Sequence, residues 1–120
     1  MAAPNIVNVA TITGITTGRA LTTTTTTQLL TNVASSNKVF KVNSIVIANV
    51  DGSSSADVTV AYNDGSTSYH LAKTIAVPAD STIVLVDKNS SIYLEEGTKI
   101  VGGASANSDL EAVISYEEIS

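Results

Sequence analysis

Residues 56–78, ADVTVAYNDGSTSYHLAKTIAVP, decide the fold. Ala56, Val58, Val60 and Tyr62 alternate with Asp57, Thr59, Ala61 and Asn63, and a period of two is that of a β-strand with one apolar and one wet face. Asn63-Asp64-Gly65-Ser66 follows, and the Asp-Gly pair tolerates the positive φ angles of a tight hairpin turn. A return strand runs through Tyr69, Leu71 and Ile75 until Pro78, which cannot donate to a ladder.

The same grammar extends in both directions. Upstream, KVFKVNSIVIANV (38–50) is long enough for a central strand and ends at the turn DGSSS (51–55). Downstream, TIVLVD (82–87) is a nearly continuous apolar strand, and Lys88-Asn89-Ser90 turns the chain again. SIYLEE, KIVGGAS and DLEAVISYEEI complete the set, the last with Leu110, Ala112, Ile114 and Tyr116 on one face. This makes seven strands after residue 37, and no window carries a helical period together with capping signals. The expected class is all-β: an antiparallel β-sandwich, jelly-roll or immunoglobulin-like. The 43% hydrophobic fraction comes mainly from Val, Ile, Ala and Leu, with one Phe and no Trp, so the core is aliphatic and thin.

Residues 1–37 differ in kind from 38–120. They carry the near-repeat ITGITTG (12–18) and an unbroken run from Thr22 to Thr27. Threonine favours extended backbone through its branched Cβ, but a strand hydroxylated on both faces has little pattern to fix its register. Two readings stand: an extended arm ordered by a neighbour, or the first strands of the domain itself. On the arm reading Thr22, Thr23, Thr24, Thr25, Thr26 and Thr27, with Arg19, are the candidate contacts to another subunit, adding a strand to its sheet edge.

Charge is unevenly placed. Residues 1–50 hold Arg19, Lys38 and Lys41 and no acid, while all 11 carboxylates lie between Asp51 and Glu118. Such polarity either favours contacts between copies or is mixed on one surface by folding.

Little points to chemistry. With no cysteine, disulfides, thiolate metal sites and cysteine nucleophiles are excluded. His70 is the lone histidine, mid-strand and without a nucleophile motif, so it reads as a structural or surface residue rather than a catalytic one. The turn Asp51–Asp57 lacks the spacing of a calcium loop. Glu95-Glu96 and Glu117-Glu118 are adjacent, so on a strand they point to opposite faces. Gly102-Gly103 fits no phosphate-loop pattern and reads as a bulge or a close backbone approach. No enzymatic activity, cofactor or metal is expected. A net charge of −5 with six cations argues against direct nucleic-acid contact. No run of 18 apolar residues suggests a membrane span, and the first residues lack the pattern of an export signal.

The segment from about residue 37 to the C-terminus resembles small virion structural proteins of tailed phages, marine and cyanobacterial ones especially. The resemblance rests on IANVDG (47–52), VPADSTIVLVDK (77–88), YLEEG (93–97) and SYEE (115–118). It implies a subunit made in the bacterial host cytoplasm and present on the virion, with the major capsid protein or other virion subunits as partners and self-association as a homo-oligomer. The implied role is a capsid decoration (cement) protein that bridges capsomers. A neck, head–tail connector or tail subunit is the alternative, and a receptor- or glycan-binding module is third, disfavoured by scarce aromatics.

Overall fold

The turn at Asp64 closes as its residues dictate. Gly65 takes a φ of 107°, and Asp64 Oδ1 accepts the N–H groups of Ser66 and Thr67 at 3.1 and 2.8 Å. The flanking strands then pair antiparallel from Asn63 opposite Ser68 to Ala56 opposite Val77.

The computed structural model describes residues 10–120. Their strands are β1 (Ile12–Ala20), β2 (Gln28–Asn32), β3 (Val39–Asn49), β4 (Ala56–Asn63), β5 (Ser68–Val77), β6 (Thr82–Val86), β7 (Ile92–Leu94), β8 (Thr98–Ala104) and β9 (Leu110–Ile119). The turn foreseen at Lys88-Asn89-Ser90 is a 3-10 turn capped by Asp87, whose carboxylate accepts the Asn89 N–H at 2.9 Å.

Two antiparallel sheets face each other, one ordered β1-β9-β3-β6 with β7 also on β3, the other β2-β8-β4-β5. The pairing is nested: β4 with β5, β3 with β6 and β7, β2 with β8, β1 with β9. The chain is thus a long antiparallel ribbon rolled on itself, the strand order of a jelly roll rather than of an immunoglobulin domain. β6 and β7 share one rail of the ribbon, β6 against residues 45–48 of β3 and β7 against 40–42.

The alternation of each strand sends its apolar set inward. Val42, Ile45 and Ile47 of β3 meet Val58 and Val60 of β4, Ile100 of β8, and Leu110 and Ile114 of β9 in one aliphatic cluster, with Phe40 stacked at 5.1 Å on Tyr116 at one end. Two buried asparagines tie loops to this core. Asn32 Nδ2 donates to the carbonyls of Lys38 and Leu94, and Asn49 Nδ2 to those of Ser54 and Val77.

The first part of the chain belongs to the same body. β1 covers β9 and β2 covers β8, while Leu21 and Leu30 are buried in the core. Of the two readings of the Thr-rich segment, residues 12–37 follow the second, first strands of the domain, and the 37/38 boundary separates no independent unit. Residues 1–9 of that segment lie outside the described residues.

Candidate functional site

Thr22–Thr27, expected on the arm reading to pair with a neighbour, is occupied within its own chain. The Thr22 carbonyl accepts the Ala104 N–H at 2.8 Å and the Thr27 carbonyl accepts the Gly102 N–H at 2.9 Å. The Thr23 N–H donates to Asn107 Oδ1. Between these anchors the segment lies against Gly103, where a Cβ would fall 2.6 Å from the Thr24 carbonyl oxygen. A threonine run has no apolar stripe to bury, so backbone hydrogen bonds and a missing side chain order it instead. Arg19 bonds inward too, its guanidinium donating to the Gln28 carbonyl at 2.6 Å. The Thr-run residues do not form a free strand for a partner, and removing residues 1–30 would strip β9 of one neighbour and the core of Leu21 and Leu30.

The same segment alters the expected wet face of β4. Thr23 and Thr25 line a shallow recess of about 250 Å³ together with Asp57, Thr59, Thr74, Ala104 and Ser105, and Ala61 is buried at 3% exposure. Thr74, on the rim, has a φ of 49°, a strained value for a β-branched residue. Its N–H is held by Thr59 Oγ1 at 3.1 Å.

The outer face of the β1-β9-β3-β6 sheet is sparsely charged. Gly18 lies opposite Val113, Val113 opposite Val46, and Val46 opposite Val84, so one register row crosses all four strands with small or aliphatic residues. Val84 and Val113 are 58% and 42% exposed. The neighbouring row joins Thr16 to Ser115 through their hydroxyls at 3.0 Å and continues to Ser44. The sequence reading placed Val46, Val84 and Val113 on strands, but only the register reveals that they align.

The four sheet margins differ. β2 is five residues long with a register shift. β6 and β7 are short and interrupted by the 3-10 turn. β5 is long, but carries two register shifts, Lys73 and the kink at Thr74. β1 runs nine residues in unbroken register, with neither proline nor lysine. Short, bulged or lysine-bearing margins resist pairing with other chains, so among the described residues β1 is the margin that has none of these three features.

Folding mixes the two charge sets. β9, with Glu111, Glu117 and Glu118, inserts between β1 and β3; Lys38 Nζ lies 3.5 Å from Glu118 Oε1, and Lys41 stands opposite Glu117. Burial, and then the charge of Glu118, push the Tyr116 hydroxyl above its ordinary value. Asp51 is held low mainly by the Ser53 N–H and hydroxyl, the contacts of a turn residue. Among the described residues no group of three or more His, Asp or Glu side chains is placed to hold a metal ion, and no helix is long and apolar enough to cross a membrane. His70 is exposed on β5, opposite Ala61.

No protein-family model matches the chain, and a search of characterised proteins finds no match.

Proposed function

We propose that this chain is a structural subunit of a tailed-phage virion, a capsid decoration protein that lies across capsomers and stabilises the shell. The observation that carries this reading is the outer face of the β1-β9-β3-β6 sheet, where a row of Gly18, Val113, Val46 and Val84 crosses four strands beside a row of hydroxyls. A face of this kind suits broad contact with another protein surface, since side chains of small reach let a partner approach closely along its whole width. The strand order adds support by analogy alone, jelly rolls being frequent in viral capsid proteins and also in lectins and other binding domains. The segments on which the resemblance to phage virion proteins rests fall on β3, β5, β6, β7 and β9 and their turns.

The reading assigns the work of the molecule to its surface and none to a reacting side chain. Cryo-electron microscopy of particles carrying the chain tests it. On the order of hundreds of copies on the shell is the expected result, whereas roughly six or twelve copies would move the subunit to the neck or tail axis. Absence of the chain from purified particles would overturn the reading. Val113→Glu places charge within the row and Val84→Glu at its β6 end, both on exposed positions, and each is expected to abolish particle binding while leaving the isolated domain folded.

A further inference from the structure

We propose that β1 is a self-pairing edge: two copies join their β1 strands antiparallel about a two-fold axis at Thr16, fusing the two outer sheets into one. Backbone geometry supplies the first argument. Thr11 and Ser120 exchange hydrogen bonds at 3.0 and 2.9 Å, and the Leu21 N–H donates to the Leu110 carbonyl. The register between these ends is unbroken, so odd-numbered residues of β1 point their N–H and C=O groups at β9, and Ile12, Gly14, Thr16, Gly18 and Ala20 point theirs away. Among the described residues no strand lies beyond β1 on that side.

Register supplies the second. All nine residues of β1 overlap their twofold-related copies only when Thr16 faces Thr16, which sets Ile12 opposite Ala20 and Gly14 opposite Gly18. Every residue with outward backbone groups then meets another such residue, and each of these pairs exchanges two main-chain hydrogen bonds. A slip of one residue would oppose outward groups to inward ones and turn the outer face inward.

Charge supplies the third, and it points to a second copy of this chain rather than an unrelated strand. In the full-overlap register Arg19 of one copy stands opposite Thr13 of the other. Thr13 is itself opposite Glu118 on β9, on the same face of the sheet. The backbones of Arg19 and Glu118 are thus two strands apart, about 10 Å, with a threonine between them, and the attraction adds to the contacts that Arg19 makes with the Gln28 carbonyl and Glu118 with Lys38. The two Arg19 residues lie at opposite ends of the shared ladder, about 20 Å apart. Registers shifted by two residues in either direction instead put Arg19 in the rows of Tyr116 or Ser120.

The chain lacks cysteine, which makes register directly readable. Thr16→Cys is expected to give a disulfide-linked dimer on mild oxidation. Ile12→Cys and Ala20→Cys are each expected to stay unlinked alone and to crosslink when mixed. Sedimentation of the unmodified full chain should show a dimer, and Thr16→Pro, which removes an outward N–H while sparing the β9 ladder, should weaken it at least tenfold with far-ultraviolet circular dichroism unchanged. A chain that stays monomeric to about 100 µM, or Ile12→Cys that links to itself as fast as Thr16→Cys, overturns the proposal. These readouts use purified chain alone, so they stand apart from whether the protein is found on a phage particle.

Discussion

Gly103 lies directly under Thr24: a Cβ on Gly103 would stand 2.6 Å from the Thr24 carbonyl oxygen and 2.7 Å from that of Thr22. Both are backbone atoms, the Thr22 carbonyl bonded to Ala104 of β8 and the Thr24 carbonyl to the Thr27 N–H and hydroxyl, so the obstruction is not relieved by rotating a side chain. Gly103→Ala is therefore expected to cost about 2–3 kcal/mol, measured by urea unfolding. Gly52→Ala, whose Cβ would meet only the Asp80 carboxylate at 3.9 Å, should change stability by no more than about 0.5 kcal/mol.

Asn49 is 3% exposed and satisfies three backbone groups at once: its amide donates to Ser54 and Val77, and its Oδ1 accepts the Asp51 N–H at 2.9 Å. Truncation to alanine removes both donations and the acceptor of the Asp51 N–H at once. Asn49→Ala is expected to lose about 2–3 kcal/mol, and Asn49→Asp more, because a carboxylate would face two carbonyl oxygens it cannot donate to. Chemical denaturation of the two variants side by side checks the order.

Thr74 holds a φ of 49°, and a branched side chain in the left-handed region is strained. Its hydrogen bond to Thr59 is made by the backbone N–H and survives substitution. Thr74→Gly should stabilise the domain by about 1 kcal/mol, raising the thermal midpoint by roughly 4 °C, whereas Thr74→Ala should recover less.

Asp64 caps the hairpin turn, and the N–H groups of Thr67 and then Ser66 hold its carboxyl below the ordinary aspartate value. A group lowered on folding contributes stability above its unfolded value, and this is lost as the pH falls through the folded one. The advantage of the natural chain over Asp64→Asn is thus expected to be full at neutral pH, to shrink below about pH 4, and to vanish at stronger acid. Urea midpoints of both proteins across that range give the test.

The elements after residue 37 were legible because each is announced locally. Alternation fixed β4 and β9, Asp64-Gly65 and Pro78 bounded β5, and Gly102-Gly103 marked a close approach. What covers Gly103 was not legible, since the Thr22–Thr27 run is held by carbonyls that every residue possesses. Neither was the strand order, which depends on contacts between residues as distant as Ile12 and Ile119. The same holds for the surfaces on which the functional reading rests. Val46, Val84 and Val113 look like ordinary strand residues until pairing aligns them, and β1 is exceptional only by comparison with the three better-guarded margins.

The nested ribbon also governs how the chain comes into being. β9 is made after the other eight described strands, yet it sits between β1 and β3; β8, made just before it, sits between β2 and β4. Neither sheet can close on a nascent chain that has not yet delivered them, so the earlier strands wait with open flanks until synthesis has passed Ile119. Such long-range closure is slow, and it makes the interval before β9 emerges the period of greatest exposure to unwanted association.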